Sequence, residues 1–290
     1  RQASSHTIAS YRDAVRLLLN YLKDQHGRES SQLTLADLNA DNIERFLNWL
    51  EENRKNTVRT RNNRFAAIRS FLRYAGARDP SQLSLVQQVL AIPMKRFDRP
   101  LMSYLLREEI QAVLDAPDPA TWNGRRDRAL FTVLYNTGAR VSEIAQLKIE
   151  DADLNHAGAI RLTGKGRKER TIPLWKDTIR CLKTWRTQLP PNGQSSLFPN
   201  AVGGFLTRSG IESRLNKAVT KACVTCVSLR NRDVSPHTIR HSTAMHLLQS
   251  GVDITVIALW LGHERSATTH MYVEADLEMK RKALDRLEEP

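Results

Sequence analysis

The chain has 290 residues, 41% of them hydrophobic, enough for one large core or two modest ones, and its 44 Lys and Arg against 31 Asp and Glu give a formal charge of +13 at pH 7. That excess implies a polyanionic partner or tolerated self-repulsion. No apolar run approaches the roughly 20 residues of a spanning helix, which excludes a transmembrane chain. Cys181, Cys223 and Cys226 are too few for a disulfide framework, and Arg1 to Ser10 is polar with no secretory pattern, so a cytoplasmic protein is expected. The first residue is Arg rather than Met, which leaves open a module upstream.

In chain order, the first segment reads as helices. Tyr11, Val15, Leu18, Leu19 and Leu22 recur at spacings of three and four after a cap at Ser5 or Thr7. Leu38 to Leu50 places Ile43, Phe46, Leu47 and Leu50 on one stripe. Thr57 to Ala75 places Phe65, Ile68 and Leu72 inward, leaving Arg59, Arg61, Arg64, Arg69 and Arg73 on the remaining surface with no acidic residue in the segment. That surface reads either as a solvated charged face or as one lying against phosphates. Ser84 to Leu90 is a fourth, short helix. The stretch 97–104 has little periodicity and reads as an extended linker, dividing a domain 1–96 from a domain 105–290. Both are basic: residues 1–100 carry a net +7 and residues 101–290 a net +6, as expected where two faces share one polyanion.

Beyond the linker, Arg107 to Leu114 and Arg126 to Tyr135 are helical, Gly138 breaks the pattern, and Val141 to Leu147 resumes it. Ala159 to Leu162 and Thr171 to Leu174 flank Gly164-Lys165-Gly166 and predict a small hairpin, after which helices run from Lys176 to the end. The fold class expected is mainly α: an N-terminal four-helix domain and a mostly helical domain with a small antiparallel sheet.

Ser235-Pro236-His237-Thr238-Ile239-Arg240 reads as a capped helix start with His237 and Arg240 over one face, beside free N–H groups suited to a phosphate. Asp253 caps a helix to Leu261, Gly262 ends it in a left-handed turn, and His263 stands at the exit. Tyr272 follows in polar surroundings, so its phenol need not be a core residue. Arg140 follows a helix-breaking glycine in Thr137-Gly138-Ala139-Arg140-Val141-Ser142-Glu143, and Lys165 sits at the hairpin tip in Gly164-Lys165-Gly166-Arg167-Lys168-Glu169-Arg170. Each motif alone is compatible with ordinary surface charge or packing.

Together, in this order, Arg140, Lys165, His237-x-x-Arg240, Leu261-Gly262-His263 and Tyr272 resemble the tyrosine recombinase (phage integrase) superfamily, with Xer-like or transposon-encoded members nearest in flavour. The resemblance to the catalytic domain covers residues 105 to 275, and the basic helical segment before residue 96 is similar to a core-binding domain. It implies Tyr272 as nucleophile, Arg140 and Arg240 on the non-bridging oxygens of the scissile phosphate, His237 and His263 completing the cradle, and Lys165 protonating the departing 5′ oxygen. A covalent 3′-phosphotyrosyl link conserves bond energy, so strand exchange needs no ATP, metal or other cofactor. Double-stranded DNA is the implied partner, with protomers assembling as dimer to tetramer on it, alone or with a related recombinase, and no membrane role. Trp260 departs from the usual leucine before Leu-Gly-His, and Leu277 to Leu287 offers a stripe for docking on a neighbour or on its own domain.

Two rivals are a non-catalytic sequence-specific DNA-binding protein and a metal-dependent phosphodiesterase or zinc protein built on His237, His241 and Cys223-Val-Thr-Cys226. The first leaves the placing of Tyr272 and the histidines unexplained. The second has a single Cys-x-x-Cys and a cation, Arg240, beside His241.

Overall fold

The computed structural model describes residues 5–97, 103–164, 166, 168–190, 195–263 and 272. The chain divides into two compact units, Arg1–Pro100 and Leu101–Pro290. Among the described residues no helix is long and apolar enough to cross a membrane.

The first unit is made of α1 (Ser5–His26), α2 (Ala40–Glu52), α3 (Val58–Arg78) and α4 (Leu83–Ala91). The helix expected over Leu38 to Leu50 is divided. Asn39 accepts a hydrogen bond from the Asn42 N–H and starts α2, leaving Leu35–Leu38 as a separate 3-10 turn. Thr57 caps α3 in the same way, through Thr60. Leu18, Leu22, Ile43, Phe46, Leu47, Leu50, Phe65, Ile68 and Leu72 all enter one core. The stripe on α1 passes through Ala14 and Tyr21 and leaves Tyr11 exposed. On α3, Arg59 and Arg73 face solvent, whereas Arg61 is buried and its Nε lies 3.7 Å from Glu51 of α2, an acidic partner from outside the segment.

The second unit contains α5 (Arg107–Asp115), α6 (Trp122–Thr137), α7 (Val141–Ala145), β1 (Ala152–Asp153), β2 (Ala159–Thr163), β3 (Glu169–Pro173), α8 (Lys176–Arg186), α9 (Arg208–Ala222), α10 (Pro236–Gln249) and α11 (Ile254–Leu261). The strands form an antiparallel sheet in the order β1-β2-β3, with Leu162 opposite Arg170. β1 carries too short an apolar pattern to be read from sequence. The hairpin closes through the Gly164 N–H donating to the Lys168 carbonyl at 2.8 Å. Helix does not continue unbroken after Lys176. Among the described residues, 187–207 hold none, and this stretch is secured by isolated bridges, Lys148 with Ser196 and Pro199 with Phe205. The Trp185 indole N–H donates to the Leu197 carbonyl at 2.8 Å, fixing the loop over α8.

Leu130, Phe131, Leu134, Ile144, Ile160, Leu162, Leu182, Leu215 and Ile239 bring α6, α7, the sheet, α8, α9 and α10 into one core. Each such fully buried side chain contributes about 1.5–3 kcal/mol. Two glycines end helices in the left-handed region, Gly138 after α6 (φ 57°) and Gly262 after α11 (φ 66°). A Cβ on Gly138 would stand 2.5 Å from Leu261 Cδ2, so the two helix ends approach each other where only a glycine fits.

Candidate active site

The last carbonyls of a helix have no partner within it and carry the negative end of the helix dipole. At the end of α11, three successive carbonyls are each taken by a different arginine. Arg170 Nε donates to Trp260 O at 2.9 Å, Arg240 Nη2 to Leu261 O at 2.6 Å, and Arg140 Nη2 to Gly262 O at 3.0 Å. Arg240 Nη1 also donates to Gly138 O at 2.6 Å, which ties the two glycine turns together through one guanidinium. These contacts gather where α6, α7, β3, α10 and α11 converge.

Arg240 is 2% exposed. Burial first, and then the charge of Arg140, bring its pKa down to about 10. Arg140 precedes α7, and its side chain is partly open to solvent, at 38%. Its own N–H donates to Glu143 Oε2 at 2.8 Å, and its Nη1 donates to Glu143 Oε1 at 3.0 Å. Glu143 is also gripped by Arg170, whose Nη1 and Nη2 donate to Oε1 and Oε2 at 3.0 and 2.8 Å. Burial works against the Glu143 charge, but the hydrogen bonds and charge of Arg170, with the N–H and charge of Arg140, outweigh it and hold the carboxyl below its usual range.

α10 starts as the sequence implies. Ser235 accepts from the Thr238 N–H, Pro236 occupies the first turn, and Arg240 follows on the buried side. The ring of His237 meets that of His241 edge to face, with centroids 4.2 Å apart. Nδ1 of His241 lies 3.0 Å from the hydroxyl of Tyr272. The His263 ring stacks on that of Tyr272, 8° from parallel and 6.2 Å between centroids.

The polar surroundings of Tyr272 in sequence leave its burial open; the side chain is 1% exposed and packs with Ala244, Met245, Leu248, Ile257 and Leu261. Apolar faces of α10 and α11 form this nest, and neither is adjacent to Tyr272 in sequence. Burial raises its pKa to about 12, against the pull of Arg240. Burial, followed by the charge of neighbouring rings and arginines, lowers both His241 and His263 to about 4, so both rings are neutral at pH 7.

Of the six residues proposed from sequence, Arg140, His237, Arg240, His263 and Tyr272 therefore belong to one connected cluster. Lys165 lies outside the described residues, as does the Leu277 to Leu287 stripe. Three participants escaped the motif reading: Glu143, Arg170 and, other than as half of a metal pair, His241. Trp260, the departure from the usual leucine, packs beside the core, and its indole N–H donates to Asn136 O at 3.4 Å. The three cysteines are free thiols.

Such a constellation can neutralise a bound phosphodiester and present a phenol to its phosphorus. Comparisons with known proteins bear on the same point. Residues 103–279 match the phage integrase family model, and residues 1–79 match the phage integrase N-terminal SAM-like domain. A relative from Sinorhizobium fredii (strain NBRC 101917 / NGR234), named as the integrase/recombinase y4rC, is 45% identical over 284 residues, covering 98% of this chain and 86% of its own. Tyrosine recombinase XerD of Staphylococcus saprophyticus is 32% identical over 289 residues, covering 96% and 91%. The fold is shared with the XerH recombinase bound to a palindromic difH substrate in a post-cleavage complex (TM-score 0.75, 23% identity, 99% of this chain and 81% of that one). It is shared also with the Tn1549 transposon integrase in complex with transposon right end DNA (TM-score 0.76, 15% identity, 99% and 95%). With a family model spanning the unit that holds the pocket and relatives aligned along nearly its whole length, the chain belongs to the phage integrase family, the tyrosine recombinases.

Proposed function

We propose that this recombinase cuts and rejoins duplex DNA with Tyr272 as its nucleophile, acting within its own subunit. The observation that carries the reading is the placing of one phenolic hydroxyl among Arg240, His241 and His263, with Arg140 on the carbonyl next to that held by Arg240. In-line attack forms a bond between the Tyr272 oxygen and phosphorus and breaks the bond from phosphorus to the 5′ oxygen. Arg140 and Arg240 offset charge on the non-bridging oxygens, which concentrates in the transition state. The phenol proton passes to a neutral imidazole, for which His241 and His263 are available, and Lys165 delivers a proton to the departing 5′ oxygen. His237 adds a donor at the start of α10. The product is a 3′-phosphotyrosyl link and a free 5′ hydroxyl, and a hydroxyl from a second strand reverses the step without ATP.

The domain roles follow from charge: 1–96 binds DNA through exposed arginines of α3, and 105–290 supplies the chemistry, joined by the linker 97–104. XerH is described bound to a palindromic difH substrate, and a lambda integrase as a tetramer on a Holliday junction. For this chain, assembly as dimer to tetramer on double-stranded DNA is the corresponding reading. With three free thiols the protein suits the reducing cytoplasm.

The test is incubation with nicked suicide duplexes chosen by binding selection from a random pool, followed by denaturing electrophoresis and peptide mapping. An adduct at Tyr272 is expected. An adduct at another residue overturns the site, and DNA binding with no adduct favours the non-catalytic alternative.

A further inference from the structure

Resting on this reading of the pocket, we propose that Arg170 is a positioning residue for strand cleavage: it neutralises Glu143 so that the Arg140 charge stays available to phosphate, and it pins the turn that presents His263. Arg170 lies on β3 opposite Leu162, one pair from the Thr163–Glu169 pair that borders the hairpin turn. All three of its nitrogens are engaged inside the protein, two by Glu143 and one by the Trp260 carbonyl. Its side chain is only 12% exposed, so it is held away from the solvent from which Arg140 is reached.

The charge arithmetic explains why a second arginine is needed there. Arg140 and Glu143 alone sum to zero, and a carboxylate 3% exposed, left with one cation, would hold that cation for itself. With Arg170 added, the trio carries a net +1, and the bidentate pairing of Arg170 with both carboxylate oxygens releases Arg140 to share its remaining donors with a ligand. The turn after α11 is shaped to admit this guanidinium. A Cβ on Gly262 would stand 3.0 Å from Arg170 Nη1 and 3.2 Å from its Cζ, so the glycine serves the arginine as well as the left-handed turn.

The experiment measures single-turnover adduct formation and DNA affinity for wild type, Arg170→Gln, Arg170→Lys, Arg140→Lys and the doubles. Arg170→Gln is expected to slow adduct formation by about 100-fold, in the range lost with one transition-state donor, while DNA affinity changes by less than about threefold. Arg170→Lys restores charge without the planar fork and should fall between the two. Because Arg170 acts through Arg140, combining Arg140→Lys with either variant should cost no more than about threefold beyond Arg140→Lys alone. A methylphosphonate at the scissile position, which lacks the oxygen charge the arginines offset, should narrow the gap between wild type and the Arg170 variants. Multiplicative losses, or an unchanged gap on methylphosphonate, would show a merely structural role. Should Arg170→Gln fail to fold, the Arg170→Lys cycle decides by the same criteria. Wild type that forms no Tyr272 adduct sinks the underlying reading of the pocket, whereas wild type that reacts beside additive variants sinks this inference alone.

Discussion

The Tyr272 hydroxyl and the His241 ring nitrogen lie 3.0 Å apart in a site where burial keeps the phenol protonated and the imidazole uncharged. His263, whose ring stacks on that of the phenol, is shifted in the same direction. For both histidines the folded value, about 4, lies below the ordinary 6.5, so between these values the unfolded chain binds more protons than the folded one. Their contribution to stability is present above about pH 6.5 and is lost as pH falls toward 4. Melting temperature should drop across that window, and the drop should be smaller in His241→Asn than in wild type. An equal drop in the two proteins would show that His241 is not shifted.

Arg240 is a buried cation that donates hydrogen bonds to two carbonyls, at Gly138 and Leu261. Replacing it by Met leaves both acceptors without their donor, at a cost of about 2–4 kcal/mol in unfolding free energy. A tetrahedral or bipyramidal oxyanion bound beside Arg140 and Arg240 should offset their charge. Millimolar vanadate is expected to raise the melting temperature of wild type and to leave Arg240→Met unmoved, a comparison that differential scanning fluorimetry makes directly.

Gly138 and Gly262 are both left-handed and both crowded, by Leu261 and Arg170 respectively. Alanine at either should destabilise the second unit by about 1–2 kcal/mol from backbone strain alone. Gly262→Ala should in addition slow adduct formation more than Gly27→Ala, since Gly27 is left-handed too but has open space where its Cβ would go. Equal activities for these two variants would separate the turn geometry from catalysis.

In the first unit, exposed Arg59 and Arg73 differ from buried Arg61, which faces Glu51. Arg59→Ala and Arg73→Ala should weaken DNA binding and each lower the slope of log K against log salt by about 1, with stability unchanged. Arg61→Ala should act on denaturant stability instead, by leaving Glu51 with one cation fewer. A salt titration by fluorescence anisotropy distinguishes the two outcomes.

Much of this architecture is legible from residue patterns. The caps at Asn39 and Thr57 and the glycine ends at 138 and 262 depend on neighbours a few residues away, and local chemistry suffices to read the last three: Thr57, Gly138 and Gly262. The division at Asn39 is not legible in the pattern because the apolar stripe runs through it. Arg140, His237, Arg240, His263 and Tyr272 stand out because their motifs resemble a known family. Glu143 and Arg170 lie inside those same motif strings, yet nothing at the level of spacing says that they bind each other 27 positions apart. The burial of Tyr272 stays open in the sequence for a related reason: its nest is made by α10 and α11, while its own flanking residues are polar.

The three arginines at the end of α11 come from positions 140, 170 and 240, and each bonds a carbonyl far along the chain. No fragment that lacks one of those segments can complete the three-arginine cluster at the end of α11. A chain still emerging from the ribosome therefore lacks the assembled cluster. Competence arrives only with the finished domain.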